Sequence, residues 1–297
     1  MHKSGFVNII GRPNVGKSTL MNALVGERMS IITNKPQTTR HRIIGILSDE
    51  DSQIIFSDTP GIVHDPAYKM HEAMNTFVKS TFEDADLLLF IAEAGESYPK
   101  EGQFLQRISK LEIPCFLVIN KTDLCTPEEL VAMIKEWSEA LPFTEVVPIS
   151  ALHRRNTDRL QELILKYLPE GPVYYPKDQL TDKPERFFVS EIIREKILML
   201  YQQEIPYSCE VVVDSFKESE SRSGPLIRIH AIIFVSRKTQ KAIIIGKQGA
   251  AIKKLGTAAR KDIETFLEQK VFLELHVKVK ENWRDDERML RHFGYSH

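Results

Sequence analysis

Cysteine is scarce. The chain has 3 among 297 residues, at Cys115, Cys125 and Cys209, an odd number without metal-ligand spacing. That argues against a disulfide-stapled scaffold or a cysteine-based metal centre and fits a reducing compartment. Cys115 lies in an apolar run and reads as a small core residue. No apolar run approaches the roughly 18 residues needed to span a bilayer. Asp86–Ala92 therefore reads as a buried strand. The first residues lack the apolar stretch of a secretory signal. Low-complexity tracts and internal repeats are absent too. The length predicts two domains with separate cores, in a protein of the cytoplasm.

Acidic residues are missing from one region only. The chain carries a net charge of −1, yet no Asp or Glu occurs between Ser221 and Lys261, where there are ten Lys or Arg. Residues 1–180 balance at −5 and residues 181–297 at +4. A run of charge is ordinarily a solvated face. A stretch this long without a single acid points to a polyanion-binding face.

Gly11-Arg12-Pro13-Asn14-Val15-Gly16-Lys17-Ser18 reads G-x-x-x-x-G-K-S, after the apolar run Phe6–Ile10 and before the helical pattern Thr19–Leu24. Glycines let successive backbone N–H groups point inward at an anion, and the helix adds its positive end. Lys17 is placed for the β- and γ-phosphates and the Ser18 hydroxyl for Mg²⁺. Asp58-Thr59-Pro60-Gly61 follows a second strand pattern, Gln53–Ser57. Asp58 is the expected carboxylate near Mg²⁺, and Gly61 allows its N–H to approach the γ-phosphate. Between them lies Gln37-Thr38-Thr39-Arg40-His41. Either Thr38 or Thr39 is expected to ligate Mg²⁺ while the γ-phosphate is present.

Base selection is readable as well. Asn120-Lys121-Thr122-Asp123 ends the strand pattern Pro114–Ile119. A carboxylate there accepts from both N1–H and the 2-amino group of guanine, a donor pair adenine lacks. Asn120 and Lys121 would brace the base and the loop. Ser150-Ala151-Leu152 follows Glu145–Ile149 and offers backbone N–H groups to the guanine O6. Motifs in this order, each at a strand end, predict GTP binding and hydrolysis on a doubly wound, mostly parallel α/β sheet. The helix Thr157–Tyr167 should close that domain.

Residues 168–176 are rich in proline and glycine and read as a semi-rigid linker. The expected organisation is a nucleotide domain over 1–171, a linker over 172–183 and a second domain over 184–297. The second domain opens with a helix pattern from Pro184 to about Gln203, then strands Cys209–Phe216 and Leu226–Val235. Gly246-Lys247-Gln248-Gly249 leads into a basic helix, Ala250 to about Glu268, and a strand, Val271–Lys280. A G-x-x-G turn in an α-β-β-α-α-β order resembles the type II KH domain, an α+β unit whose loop clamps about four single-stranded nucleotides. Ile245, Gly246, Lys247, Gln248, Gly249, Lys253 and Lys254 are the candidate RNA contacts. Ile243, Ile244 and Ile252 read as core. A last helix, roughly Asp285–Phe293, mixes both charges.

Taken together, the phosphate loop, the three later nucleotide motifs and the segments Pro184–Phe188, Ile192–Ile197 and Val277–Asp286 resemble the Era family, KH-domain members of the TrmE/Era-type P-loop GTPases. The resemblance covers essentially the whole chain. It implies that Gly11 to Ser18, Thr38, Thr39, Asp58 to Ile62, Asn120 to Asp123 and Ser150 to Leu152 surround GTP or GDP. It favours Thr39 over Thr38 for the metal, beside Ser18 and Asp58, and Lys17, Thr39 and Gly61 for hydrolysis. Ile62 stands where signalling GTPases carry a water-orienting glutamine. Asn14 matches a position that helps bind K⁺ in related GTPases. The implied partners are the 3′ end of small-subunit ribosomal RNA and the small ribosomal subunit during its maturation. The family further implies a monomer with peripheral contact at the inner face of the membrane. A membrane-associated G protein with a basic docking domain is the alternative, although no lipidation motif is present.

Base choice tests the guanine motif. Asp123→Asn presents a donor where guanine also donates and xanthine accepts. Competition binding should show lost GTP affinity and gained affinity for xanthosine triphosphate. Unchanged preference for GTP removes Asp123 from base reading.

Overall fold

A computed structural model describes residues 2–63, 65–96, 107–221 and 224–295. By backbone proximity the chain forms two compact units, Met1–His64 with Met74–Asp182, and Asp65–Ala73 with Lys183–His297. Among the described residues no helix is long and apolar enough to cross a membrane.

The first unit is built on a six-stranded sheet in the order β2-β3-β1-β4-β5-β6. Its strands are β1 (Lys3–Gly11), β2 (Ile43–Ser48), β3 (Ser52–Asp58), β4 (Leu87–Glu93), β5 (Cys115–Asn120) and β6 (Glu145–Pro148). Only β2 runs antiparallel to its neighbour. Strands β3, β4 and β5 are almost wholly buried, which is why they read as continuous apolar runs rather than alternating ones. Helices α1 (Lys17–Val25), α3 (Pro127–Ala140) and α4 (Thr157–Tyr167) accompany them, with α2 (Lys69–Ser80) from Met74 onward. Helix α3 starts on a capping box, with Thr126 and Glu129 bonding reciprocally and a proline in the first turn. Trp137 on its inner face is buried with Phe90 and Leu117 against the sheet. Loops at the carboxyl ends of β1, β3 and β5 all emerge at one edge, where doubly wound sheets bind ligands.

The segment expected to act as a linker is fastened to this unit. Ser4 donates its hydroxyl to the Pro172 carbonyl at 2.7 Å. Gln53, buried in β3, accepts from the Tyr174 and Tyr175 N–H groups at 2.8 and 3.0 Å and donates to the Tyr175 carbonyl at 2.8 Å. The Ile46 N–H on edge strand β2 donates to the Leu180 carbonyl at 2.8 Å. Proline content predicted the irregular backbone, and side chains from the sheet hold it in place.

The second unit pairs helices with a three-stranded sheet, β7-β8-β9, comprising β7 (Cys209–Ser221), β8 (Gly224–Val235) and β9 (Lys270–Val279). β7 and β8 are antiparallel and β8 and β9 parallel. The order α5 (Glu185–Leu200), β7, β8, α6 (Lys238–Ile245), α7 (Ala250–Leu267), β9 is the anticipated one. Ile192, Ile193, Ile197, Ile229, Ile244 and Leu255 meet in a single core. Ile244 belongs to that core, whereas Ile243 is 50% exposed. A short helix α8 (Glu287–His292) follows β9. The indole N–H of fully buried Trp283 donates to the Ser208 carbonyl at 3.1 Å, tying this tail to the unit.

Gln53→Ala leaves the Tyr174 and Tyr175 amides without their buried acceptor. Unpaired buried groups cost about 1–3 kcal/mol. The expected result is faster proteolysis within residues 172–182 and a comparable loss in urea-measured stability.

Candidate functional site

Chain geometry gathers the sequence motifs into one cleft of about 480 Å³ in the first unit. Gly16 ends the loop after β1 with φ 97°, in the left-handed region, and a Cβ there would collide with the Asn120 amide. Glycine is therefore required on both backbone and packing grounds. Helix α1 begins immediately afterwards with no side-chain cap, so its first N–H groups face the cleft. Lys17 is buried, and its ammonium donates to the Gly11 and Arg12 carbonyls at 3.1 and 2.8 Å. Burial pushes its pKa down to about 8, with the Asp58 charge opposing the shift.

Beneath the loop, Ser18, Thr39 and Asp58 converge. The Ser18 hydroxyl donates to Asp58 Oδ2 at 2.6 Å and lies 2.9 Å from Thr39 Oγ1. A hydroxyl has one proton, so Thr39 is the donor in the second bond. Asp58 is fully buried, and its Oδ1 has no hydrogen-bond partner. Burial raises its pKa, while the Ser18 bond and the Lys17 charge act against that rise. Thr38 also lines the cleft, but its hydroxyl donates to the Lys35 carbonyl at 2.6 Å and accepts from Thr33 at 2.6 Å. Of the two threonines, Thr39 alone stands with Ser18 and Asp58.

Asn120 ties the phosphate loop to the base-side loops. Its amide donates to the Val15 carbonyl at 2.9 Å and accepts from the Ala151 N–H at 2.9 Å. That N–H, anticipated to face a base, is directed to Asn120 here. Lys121 adopts φ 63° and pairs with Glu93 at 2.8 Å. Thr122 bonds the Ile149 carbonyl through its hydroxyl at 2.9 Å. Asp123 lines the cleft and accepts from the Ser150 hydroxyl, which holds its carboxyl below the usual carboxylate range.

The remaining predicted residues frame this arrangement. Pro13, Asn14, Thr59, Gly61 and Leu152 line the cleft. The Asn14 amide donates to the Asn34 carbonyl at 3.3 Å. Thr59 bonds the Ile9 carbonyl at 3.2 Å, and Gly61 packs on the Pro13 ring. Gly11, Arg12, Val15, Asp58, Pro60, Ile62, Thr122 and Ala151 do not line it, and Asp58 lies beneath it, bonded to Ser18. Ile31, Ile32, Thr33, Asn34 and Leu124 line it without having been anticipated. The exposed apolar side chains Ile32 and Leu124 were a faint signal, since neither completes a core pattern.

In the second unit the turn after α6 places Gly246 at φ 72° and Gly249 at φ 78°. A Cβ on Gly246 would lie 2.6 Å from that of Ala251, whereas Gly249 faces open space. Lys247, Gln248, Lys253 and Lys254 are exposed around this turn, and Ile245 is half-buried.

Phosphate loop, carboxylate and guanine-type loops on one doubly wound sheet, followed in the chain by an α-β-β-α-α-β unit, define a P-loop GTPase carrying a KH domain. Family models agree, a 50S ribosome-binding GTPase model matching residues 6–121 and a KH domain model matching residues 204–284. GTPase Era of Syntrophus aciditrophicus (strain SB) is 49% identical over 297 residues, 100% of this chain and 96% of that protein. GTPase Era of Clostridium kluyveri is 49% identical over 296 residues, 99% of this chain and 100% of that one. Among solved structures, Era in complex with MgGDPNP and nucleotides 1506–1542 of 16S ribosomal RNA superposes with TM-score 0.93 at 40% identity, covering 100% of both chains. A variant of Aquifex aeolicus Era bound to GDP·AlF4⁻ gives TM-score 0.93 at 40% identity over 99% of this chain and 100% of that one. The chain belongs to the Era family of GTPases.

Lys17 makes a pH prediction. Its folded pKa of about 8 lies below the ordinary 10.5, so between those values the unfolded chain binds more protons. Stability of the nucleotide-free protein should therefore rise with pH across that window. Lys17→Met lacks this penalty and should be more stable than the parent by about 2–3 kcal/mol at pH 7, a margin closing towards pH 10. Urea titrations at pH 7 and 9.5 measure it, and a constant margin contradicts the buried-ammonium account.

Proposed function

We propose that this protein is a GTP-driven switch of the cytoplasm that binds the 3′ region of small-subunit ribosomal RNA during assembly of that subunit. The observation that carries the nucleotide half is that Ser18 and Thr39, which line the cleft together with Asp123, meet buried Asp58 beneath it. The RNA half rests on the exposed Lys247-Gln248 turn between two glycines, set in an acid-free stretch. A relative of 40% identity crystallised with a 16S ribosomal RNA segment supports the choice of RNA.

The donor set fits Mg²⁺. Two hydroxyl oxygens and a carboxylate with one buried, unpartnered oxygen make a hard, all-oxygen site. Ser18, Thr39 and Asp58 would hold the ion, Asp58 through water. Bound there, the ion would offset negative charge on the β- and γ-phosphates.

The chain's own groups do the rest. Backbone N–H groups from Asn14 to Ser18 would bind the phosphates, with the α1 N-terminus behind them. Lys17 would exchange its loop carbonyls for phosphate oxygens, its charge stabilising the transferring group. The Gly61 N–H would approach the γ-phosphate. Arg12, Pro13, Thr59, Pro60 and Ile62 shape the loops around it. Asp123, oriented by Ser150, would accept from guanine, while Asn120, Lys121, Thr122, Ala151 and Leu152 hold the base pocket. Ile62 cannot orient water, so that task falls to backbone groups of these loops; Asn14 would help hold K⁺, whose charge would add to that at the phosphates. Loss of the γ-phosphate would release the loop bearing Thr39 and the one after Gly61. In the KH domain, Gly246 and Gly249 allow close approach of RNA phosphates to Lys247, Lys253 and Lys254, with Ile245 and Gln248 beside them.

The two activities should separate by mutation. Lys17→Ala should lower GTP hydrolysis at least 100-fold, an effect of the size seen when one stabilising donor is removed, and leave RNA binding by the nucleotide-free protein unchanged. Gly249→Asp adds a carboxylate where there is open space and should abolish binding of single-stranded RNA while basal GTP turnover persists. Circular dichroism confirms that each variant is folded. Parental RNA affinity in folded Gly249→Asp protein refutes the KH site, and parental turnover in Lys17→Ala refutes the GTP site.

A further inference from the structure

The sheet of the KH domain has a second face. Along β8, Ile227, Ile229, Ala231, Ile233 and Val235 point to the helices and are buried. The alternating residues point the other way. The tail of the chain covers one end of that outer face, where Phe293 packs on Phe234 with ring centres 5.2 Å apart and Tyr295 donates to Glu210 at 2.6 Å.

The other end is open, and its chemistry is distinctive. Phe272 on β9 is 49% exposed, and its register partner Arg228 holds its guanidinium carbon 5.4 Å from the ring centre. One step along, the rings of His230 and His276 lie 4.6 Å apart. Their partners are Asp214 at 3.1 Å and Glu274 at 2.8 Å, so the acids of this face are already engaged. Lys217, paired with Arg228 across β7, and Lys270 and Lys278 on β9 are exposed. The face thus presents three lysines around an aromatic ring with a guanidinium held over it.

One exposed phenylalanine is unremarkable on a soluble protein. An exposed ring with arginine stacked on it, among lysines, is what single-stranded nucleic acid uses. Bases stack on aromatic rings and guanidinium planes while cations follow the phosphates. Phe272 and His276 are four residues apart on one strand, about 13 Å, so two bases need not compete for one platform.

We propose that this open sheet face is a second RNA-binding surface, with Phe272 and Arg228 as its stacking platform. It lies across the sheet from the helices that carry the Gly246–Gly249 turn, so only an RNA longer than the turn can hold reaches both. The inference rests on the reading of this domain as RNA-binding, and its test is chosen to fail separately. Fluorescein-labelled single-stranded RNAs of about 4 and about 16 nucleotides are titrated into the full-length protein, the shorter matching the span of a KH groove.

Phe272→Ala should weaken binding of the longer RNA about 5- to 150-fold, the range for losing one stacked base. It should leave the shorter RNA unaffected. Phe272→Trp should keep or improve affinity for the longer RNA, and Arg228→Gln should weaken it and lower its salt dependence. Half-exposed Phe272 can be replaced without opening the core, and circular dichroism verifies this. Parental affinity of Phe272→Ala for the longer RNA, with binding lost in Gly249→Asp, overturns the second surface and leaves the KH site standing. Failure of the parent to bind either RNA overturns both. Loss of retention on phosphatidylglycerol vesicles in Phe272→Ala, with RNA affinity unchanged, assigns the face to a membrane and also overturns the proposal.

Discussion

A carboxylate buried beneath the phosphate loop sets the terms for the whole nucleotide site. Asp58 sits at the carboxyl end of β3 with no solvent exposure. An ionised group there is costly unless positive charge and hydroxyls surround it. Ser18 from the start of α1, Thr39 from the loop before β2 and the charge of Lys17 supply those partners. Three separate chain segments are thereby drawn to one point. On the proposed function, a cation and a γ-phosphate complete the set, which makes loop position depend on nucleotide state.

The second brace is Asn120. One buried side chain joins the phosphate loop to the base-side loop after β6. Asn120 also explains why Gly16 bears no side chain, since the two occupy adjoining space. Phosphate and base recognition are therefore mechanically linked before any ligand arrives. The sheet supplies the rigidity for this, because the strands carrying these loops are almost fully buried.

Much of this was legible in the sequence. Motifs at strand ends announce themselves because glycine, lysine and aspartate are needed at fixed spacing by phosphate and base chemistry. Loop position at the strand ends follows from apolar runs alternating with helical patterns, whereas the strand order and the antiparallel edge strand β2 were not read from them. The apolar rim formed by Ile32 and Leu124 was not legible, since exposed aliphatics obey no spacing rule. The use of the Ala151 N–H by Asn120 was equally hidden, being a tertiary contact between residues 31 positions apart. Proline and glycine marked residues 168–176 as irregular, but composition could not reveal that Gln53 would hold the adjoining backbone.

The central claim of the proposed function is that Thr39, already beside Ser18, contributes to nucleotide binding only when a γ-phosphate is present. Calorimetric titration of GDP and of GDPNP, each with Mg²⁺, into the parent and Thr39→Ala proteins tests it most directly. The account predicts that Thr39→Ala weakens GDPNP binding at least tenfold and leaves GDP binding unchanged, a differential loss of about 1.4 kcal/mol or more. Equal loss for both nucleotides, or no loss for either, would contradict it.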